Sequence, residues 1–258
     1  MPFKYNSIKD SDYGSDITLI LDRKRLSRID HGRKAVCPTK CSAKWSNPNL
    51  LLINLDQILT ISIYKMNKES LKEHILKKVQ FSDEELEVFL SYFKEKKVKK
   101  KQFIILPGSV AKYRSYVVKG AFRAYVIDDE GSEHTIQFAI EDWWISDYNS
   151  YILQQPATMF VVALEDGMVF QIDHESEEKL KAAGHRYETF FRIMAERSPA
   201  YHQRRVISNL TQNAEQRYVS FMERYASIAY RVPQYALASY LGMTTQFLSK
   251  IRSKSLKS

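Results

Sequence analysis

Residues 116–144 read YVVKGAFRAYVIDDEGSEHTIQFAIEDWW, and this stretch decides the fold of the chain. It holds two runs rich in β-branched and aromatic residues, AFRAYVI and EHTIQFAI, on either side of the polar segment DDEG. A short loop with glycine near its end is typical of a hairpin, because glycine adopts the positive φ that such a loop requires. The stretch therefore predicts two antiparallel strands joined by a loop that contains Gly131.

Runs of the same composition continue on both sides, from residue 103 to residue 172. Turn-forming pairs separate them, namely PG at 107–108, KG at 119–120 and DG at 166–167. No helix-length segment lies between these runs, and parallel strands need a crossover of about a dozen residues or more. The pattern predicts an antiparallel β-roll or sandwich within an α+β fold.

Helical periodicity flanks the predicted roll. Upstream, residues 68–96 place apolar side chains at helical spacing, and SDEE at 82–85 is a capping box that starts a second helix. Downstream, the pattern predicts three helices at about residues 175–183, 187–210 and 214–226. Pro199 lies inside the long helix and lacks the N–H that a helix interior needs, so we expect a kink or a break there.

Residues 232–256, VPQYALASYLGMTTQFLSKIRSKSL, predict two short helices separated by a sharp turn at Gly242. Thr244 is suited to cap the second helix. The opposite side of that helix carries short polar side chains and one lysine. Its apolar side consists of Phe247, Leu248 and Ile251. The pattern is that of a helix–turn–helix.

The charge distribution favours a polyanionic partner for this tail. Residues 201–258 hold nine basic and two acidic residues, whereas residues 66–200 carry a net charge of −3. A helix with short polar side chains and a cation fits the major groove of DNA, although a solvated surface helix has the same pattern. The predicted contacts are Thr244, Thr245, Gln246, Ser249 and Lys250 in the groove, with Arg252, Lys254 and Arg231 at phosphates.

The composition excludes several classes of protein. The chain has 258 residues, of which 44% are hydrophobic and 27% charged, as in ordinary globular proteins and unlike disordered or low-complexity chains. It lacks both an apolar run of about 18 residues and a signal-peptide core. Its two cysteines, Cys37 and Cys41, cannot form a disulfide framework. We expect a soluble, cytoplasmic protein without a membrane partner.

The first 65 residues differ from the rest, because no helical or strand period lasts through them. We interpret residues 1–65 as an extension that is disordered or precedes the true start at Met66. A flexible basic arm is the alternative. Cys37 and Cys41 are too few ligands for a closed zinc site, so we interpret them as free thiols.

The order of these segments resembles the Crp/Fnr family of bacterial transcription regulators over about residues 68–258. The resemblance rests on residues 116–144, on AEQRY at 214–218 and on the helix–turn–helix. It implies a cyclic-nucleotide-binding-like β-roll (a double-stranded β-helix), a long dimerisation helix and a DNA-binding domain that reads a palindromic operator as a homodimer, with RNA polymerase as a further candidate partner. The implied boundaries are 66–184 for the sensor roll, 185–210 for the dimerisation helix and 211–258 for the helix–turn–helix domain. Only SKSLKS follows the recognition helix, so the β-hairpin wing of the family is expected to be shortened or missing.

The sequence departs from the family where cyclic nucleotides bind. The family's nucleotide binders carry a Gly-Glu pair for the ribose and an arginine for the cyclic phosphate, whereas this chain has Ile145-Ser146 and Ala157 there. A buried phosphate without a cation is costly, so we expect no binding of cyclic AMP. Iron–sulfur members need several cysteines, and none follows Cys41. We therefore expect no cofactor.

Aromatic residues gather where the family holds its ligand. They either fill the core or form a pocket for an unknown effector. Glu141, Asp142 and Asp147 nearby would suit a cationic ligand, or they are solvated loop charges. The candidate pocket residues are Trp143, Trp144, Ser146, Asp147, Tyr148, Ala157 and Thr158.

The helix–turn–helix and the resemblance predict a transcription regulator, and because no catalytic motif is apparent we assign no catalytic residue and no metal ligand. Nucleophile elbows, phosphate-binding loops and dinucleotide-binding glycine motifs are absent from the sequence. Two alternatives remain open. One is a regulator that responds to a cyclic nucleotide through non-standard contacts, and the other is a metal-dependent β-roll enzyme, although the chain has no His-x-His motif.

Overall fold

The computed structural model describes residues 68–255. The predicted extension 1–65, with Cys37, Cys41 and the proposed start at Met66, lies outside the described residues. Two helices come first, α1 (residues 68–76) and α2 (Asp83–Ser91). The capping box predicted at the start of α2 is confirmed, because Ser82 and Glu85 each accept a hydrogen bond from the other's backbone N–H.

A β-roll follows, and then five helices. The strands are β1 (Lys94–Val98), β2 (Phe103–Ile105), β3 (Tyr113–Lys119), β4 (Phe122–Ile127), β5 (Glu133–Ala139), β6 (Trp144–Ile145), β7 (Phe160–Ala163) and β8 (Gly167–Asp173), with the short helix α3 (Tyr148–Leu153) between β6 and β7. The later helices are α4 (His174–Ala183), α5 (His185–Thr211), α6 (Ala214–Ala229), α7 (Gln234–Tyr240) and α8 (Thr245–Ser255).

The strands form two four-stranded sheets, with orders β1-β8-β3-β6 and β2-β7-β4-β5. Every pairing between named strands is antiparallel, as the sequence predicted. The predicted hairpin is β4–β5, in which Phe122 lies opposite Ala139 and Gly131 in the loop has a φ of +81°. Gly167 is required at a close approach between two turns, because a Cβ there would lie 2.5 Å from the carbonyl oxygen of Lys119.

The buried residues form three clusters. One lies within the roll and includes Val117, Phe122 and Val169. The second packs α1, α2 and the first half of α5 on the roll through aromatic residues that include Phe89 and Phe190. The third lies beneath α6, α7 and α8, and its members include Phe138, Phe221, Leu237, Leu248 and Ile251. The last cluster attaches the C-terminal helices to strand β5.

Of the two outcomes predicted at Pro199, a kink or a break of the long helix, the break does not occur. Helix α5 runs from His185 to Thr211 with Pro199 inside it. Both halves are held by tertiary contacts: Phe190 packs in the aromatic cluster, and Arg205 donates hydrogen bonds to carbonyl oxygens of β5. These contacts offset the backbone hydrogen bond that proline cannot make. Helix α6 also extends three residues beyond its predicted end at 226.

Candidate DNA-reading helix and effector cleft

Helices α7 and α8 are joined by the turn that the sequence predicted. Gly242 has a φ of +66°, which places it in the left-handed region, and its N–H donates to the carbonyl of Ser239. Thr244 caps α8, because its Oγ1 accepts a hydrogen bond from the N–H of Phe247 at 3.2 Å. The turn and the cap together set the orientation of α8 relative to α7.

One side of α8 is buried and the other faces outward. Leu248 and Ile251 are 0% and 5% exposed. Phe247 is 41% exposed, so the buried face of α8 is narrower than the apolar side predicted from the sequence. The structure brings together on the outward side the predicted groove residues Thr244, Thr245, Gln246, Ser249 and Lys250. Among the described residues, the side chains of Gln246 and Lys250 have no hydrogen-bond or ion-pair partner, which leaves both available to a ligand.

The predicted phosphate contacts differ in their surroundings. Lys254 is exposed and makes a surface ion pair with Glu215 at 3.3 Å, a contact of little net strength in water. Arg252 donates to the carbonyl of Ala229 at 3.3 Å and stays partly exposed. Both side chains flank the outward side of α8.

Arg231, the third predicted phosphate contact, is engaged by two carboxylates. Its guanidinium binds the carboxylate of Glu141 through two nitrogens and also pairs with Glu165, and these carboxylates raise the pKa of Arg231. Glu141 follows β5 and Glu165 precedes β8, so Arg231 links the end of α6 to the β-roll. Two carboxylates already neutralise this cation, and a phosphate would have to displace them.

Helix α7 lies along the edge of the hairpin. The Oγ of Ser239 accepts a hydrogen bond from the N–H of Thr135 at 2.9 Å and donates one to the carbonyl of Glu133 at 2.9 Å. Arg205 on α5 donates to the carbonyls of Thr135 and Ile136, and also to that of Tyr240 at the end of α7. The edge of β5 is therefore covered by the helices that follow the roll.

Three of the seven predicted effector residues line a common cleft. Trp143, Trp144 and Tyr148 face a cleft of about 530 Å³ that α1, the roll and α5 enclose, a size suited to a small organic ligand. Trp144 also belongs to the core, because it packs against Phe93 and its Nε1 donates to the Nε2 of His74 at 3.0 Å. Core filling and cleft lining are thus both true of this residue.

The other four predicted effector residues, Ser146, Asp147, Ala157 and Thr158, do not line this cleft. Asp147 is fully buried and caps α3, and its carboxylate accepts hydrogen bonds from the N–H groups of Ser150, Thr158 and Met159. Ser146 donates to the carbonyl of Tyr113, and Ala157 is 4% exposed. Their side chains and backbones hold the β6–α3–β7 segment together rather than line the cleft.

Sequence reasoning missed most of the cleft wall. It includes His74 and Lys78 from α1, Arg197, Tyr201 and Arg204 from α5, and Tyr225 from α6. Only the spacing of His74 and Lys78, four residues apart on one helix face, was a signal in the sequence. The remaining residues are brought together by the packing of α1, α5 and α6 around the roll.

The electrostatics of the wall are set by burial and by crowded cations. Burial, followed by the charge of Lys78, lowers the pKa of His74 from 6.5 to about 4. Burial, followed by the charge of Arg197, lowers the pKa of Lys78 from 10.5 to about 8. His74 is therefore neutral near pH 7, and its Nε2 accepts hydrogen bonds from both Lys78 and Trp144.

Arg114 lies deeper, between the cleft and the interior of the roll. It is 8% exposed, its Nε lies 3.2 Å from a carboxylate oxygen of Glu177, and its guanidinium stacks near the rings of Tyr148 and Tyr151. Tyr151 donates to the same carboxylate oxygen at 2.8 Å. The charge of Arg114 is thus compensated inside the protein.

Two features of the described residues bear on other kinds of function. Within residues 68–255, no three His, Cys, Asp or Glu side chains converge in a way that would hold a metal ion. The described part of the chain therefore offers no set of metal ligands that would support the hypothesis of a metal-dependent β-roll enzyme. In the same part, no helix combines the length and the apolarity needed to span a bilayer.

The comparisons with known proteins agree with this architecture. Residues 95–183 match the family model "Cyclic nucleotide-binding domain", which spans β1 to α4. No curated protein sequence matches the chain significantly.

Solved structures share the fold at low sequence identity. FixK2 from Bradyrhizobium japonicum is 18% identical, with a TM-score of 0.56 over 63% of this chain and 83% of its own. The regulator CLP from Xanthomonas campestris is 13% identical, with a TM-score of 0.56 over 67% of this chain and 91% of its own. A putative Crp/Fnr regulator from Eubacterium rectale is 16% identical, with a TM-score of 0.53 over 69% of this chain and 85% of its own. The cyclic nucleotide-binding-like roll that the resemblance implied is confirmed: residues 95–183 match that domain, and 63–69% of the chain shares its fold with these three structures.

Proposed function

We propose that this protein is a dimeric transcription regulator that reads double-stranded DNA through α8 and receives an effector in the cleft beside α5. The observation that carries the proposal is the outward side of α8. There Gln246 and Lys250 have no partner among the described residues, while Leu248 and Ile251 anchor the helix from behind. We assign no catalytic residue.

Recognition on this proposal combines base contacts with phosphate contacts. Glutamine pairs with adenine through two hydrogen bonds, lysine donates to guanine, and threonine contacts the thymine methyl or a hydrogen-bonding edge. Arg252 and Lys254 flank the helix and would hold phosphates, since the surface pair of Lys254 with Glu215 is easily exchanged. Ser249 accepts a hydrogen bond from Gln234, which leaves its hydroxyl proton and its second lone pair for a base.

The proposed dimer uses the second half of α5. Val206, Ile207 and Leu210 are 55%, 50% and 80% exposed, and their spacing places them along one side of the helix. An exposed apolar stripe on a long helix suits an isologous contact with a second copy. A twofold axis there would present two α8 helices to successive turns of one DNA face, as a palindromic operator requires.

The effector on this proposal is not a cyclic nucleotide. The buried carboxylate of Asp147 already takes three backbone N–H donors of the β6–α3–β7 segment, where the family resemblance puts the cyclic phosphate. A phosphate beside a buried carboxylate would suffer like-charge repulsion, and Ala157 offers no cation.

The match of residues 95–183 to the cyclic nucleotide-binding domain favours one alternative, a regulator that binds a cyclic nucleotide through other contacts. Calorimetric titration of the full-length protein with cyclic AMP and cyclic GMP separates the two. We expect no heat of binding at micromolar ligand, and micromolar affinity for either nucleotide would support the alternative.

Selection of bound fragments from a random pool of duplex DNA, at low ionic strength, tests the proposed function. We expect enrichment of a palindrome whose half-sites lie about 10 base pairs apart, centre to centre. Failure to retain any duplex would refute DNA binding. Enrichment of a single asymmetric site would refute the symmetric dimer.

A further inference from the structure

The wall of the cleft carries cations that lack carboxylate partners. Lys78, Arg197 and Arg204 all line it, and among the described residues none of the three lies within 4 Å of a carboxylate oxygen. Every other cation of the wall is compensated, since Arg114 pairs with Glu177. The cleft therefore presents a net positive surface to whatever enters it.

The acidic residues near the cleft cancel only part of this charge, because among the described wall residues the carboxylate of Asp142 offsets one of the three cations. Asp142 lines the wall, but its Oδ1 accepts hydrogen bonds from the hydroxyls of Tyr116, at 2.5 Å, and Ser70, at 3.3 Å. Glu141 is bound to Arg231, and Asp147 is buried as the cap of α3. In the sequence these three residues suggested a cationic ligand. In the structure their carboxylates already accept hydrogen bonds from other groups of the protein.

Two hydrogen bonds to His74 fix the position of the Lys78 ammonium. Its Nζ donates to the Nε2 of His74 at 2.8 Å and to the carbonyl of the same residue at 3.1 Å. An ammonium has three N–H donors, so one remains for a ligand. Lys78 and Arg197 line the same cleft, and the charge of Arg197 contributes to the lowered pKa of Lys78, so an anion between them would reduce their mutual repulsion.

The rest of the wall is aromatic. The ring of Trp143 lies edge-on to the rings of Tyr201 and Tyr225, with centroid separations of 6.1 and 5.5 Å. Tyr225 departs from helical geometry inside α6, with φ −138° and ψ 32°, and its ring is part of the cleft wall. Aromatic walls favour planar ligands because offset or edge-on ring contacts add to the burial of apolar surface.

We propose that the cleft binds a small organic anion with a planar, apolar body, held at its acidic group by Lys78 and Arg197 and at its ring by Trp143 and Tyr201. This inference gives the chemical class of the effector, and it rests on the proposed function only for the ligand's regulatory role. A cleft of about 530 Å³ admits a molecule of one to three rings.

Matched probes of equal shape test the charge preference on the full-length protein. The probes are 2-naphthoate, 2-naphthalenemethanol and 2-naphthylmethylamine, titrated calorimetrically at low and at high salt. We expect naphthoate to bind at least about tenfold more tightly than the alcohol, and the amine more weakly still, because a charge-assisted hydrogen bond is about twice as strong as a neutral one. Salt should weaken the binding of naphthoate and leave that of the alcohol unchanged.

Variants locate the site. Lys78→Gln and Arg197→Gln should each weaken naphthoate binding by about tenfold and leave the alcohol unaffected. Arg192→Gln is the matched control, because Arg192 lies on the same helix but pairs with Glu196 outside the cleft wall. Equal affinity for all three probes, or naphthoate binding that withstands both cleft substitutions, would overturn the proposal.

DNA binding is measured separately on the same samples. A protein that binds naphthoate with the expected charge preference and ignores DNA would refute the proposed function while supporting the anion site. A protein that selects an operator and binds the three probes equally would refute the anion site alone.

Discussion

The hydroxyl of Tyr201 lies 2.6 Å from the hydroxyl of Tyr240. Tyr201 lines the cleft from α5, and Tyr240 is the last residue of α7, which precedes the turn before α8. Burial raises the pKa of both phenols, so both stay protonated and one donates to the other. The candidate effector cleft and the candidate DNA-reading helices are therefore joined by one direct hydrogen bond.

A double-mutant cycle measures this link. Tyr201→Phe leaves the Tyr240 hydroxyl without this partner and should lower the free energy of unfolding by about 1 kcal/mol. Tyr240→Phe should have a similar effect, and the double variant should cost less than the sum of the two. Urea denaturation of the four proteins gives the coupling energy. Strict additivity would mean that the two hydroxyls do not interact in solution.

Base reading by α8 is tested with Gln246→Ala and Lys250→Ala. Each should weaken binding to the selected operator by about 1–3 kcal/mol and relax the base preference at one position, because a base-edge hydrogen bond is lost. Circular dichroism and the melting temperature should stay unchanged, since both side chains are exposed. Lys179→Ala, at an exposed pair with Glu175 on α4, is the control. An unchanged operator preference for Gln246→Ala would show that another face of α8 reads the DNA.

The neighbours Phe247 and Leu248 should respond differently to truncation. Leu248 is fully buried, so Leu248→Ala should lower the free energy of unfolding by about 2–5 kcal/mol. Phe247 is 41% exposed, and Phe247→Ala should cost less than about 1 kcal/mol. Chemical denaturation decides between this order and the reverse, which would place α8 in a different rotation about its axis.

The dimer is tested on α5. Leu210→Glu should raise the dimer dissociation constant by at least about tenfold, because it puts a charge into the proposed apolar seam. Val219→Glu on α6 is the control, since Val219 is also an exposed apolar residue, at 51%. Sedimentation velocity over a range of concentrations gives both constants. A wild-type protein that is monomeric at every concentration, or a control that dissociates as readily, would rule out this interface.

Stability should fall in mild acid because of His74. Its pKa is about 4 in the folded protein and 6.5 in the unfolded chain, so the unfolded chain binds the extra proton between these values. Neutral His74 therefore contributes fully to the free energy of unfolding above pH 6.5, and this contribution is lost as the pH falls toward 4. Burial also lowers the pKa of His202, so His202 should destabilise the fold in acid in the same way. Urea midpoints between pH 7 and pH 4.5 should decline, and His74→Gln should flatten part of that decline. A slope that is unchanged in the variant would assign the effect elsewhere.

Local signals in the sequence were sufficient to predict those elements that depend only on neighbouring residues. The two runs of β-branched and aromatic residues around Gly131 predicted the β4–β5 hairpin, Gly242 predicted the turn before α8, and Ser82 with Glu85 predicted the start of α2, because each depends on residues within a few positions. The same reasoning placed Gln246 and Lys250 on the outward side of α8. It did not decide between a kink and a break at Pro199, where distant contacts through Phe190 and Arg205 keep the helix continuous.

The amino-acid sequence by itself determined the order of the elements, the antiparallel character of the roll and the polar side of the last helix, since periodicity and turn chemistry act over short stretches of chain. Only the tertiary structure decided the electrostatics of the two candidate sites. It bound Arg231 to Glu141, and it buried Asp147 at the start of α3. It also brought Lys78 and Arg197, which are far apart in the chain, into one cleft wall. Charge compensation depends on distance in space, and sequence separation does not encode that distance.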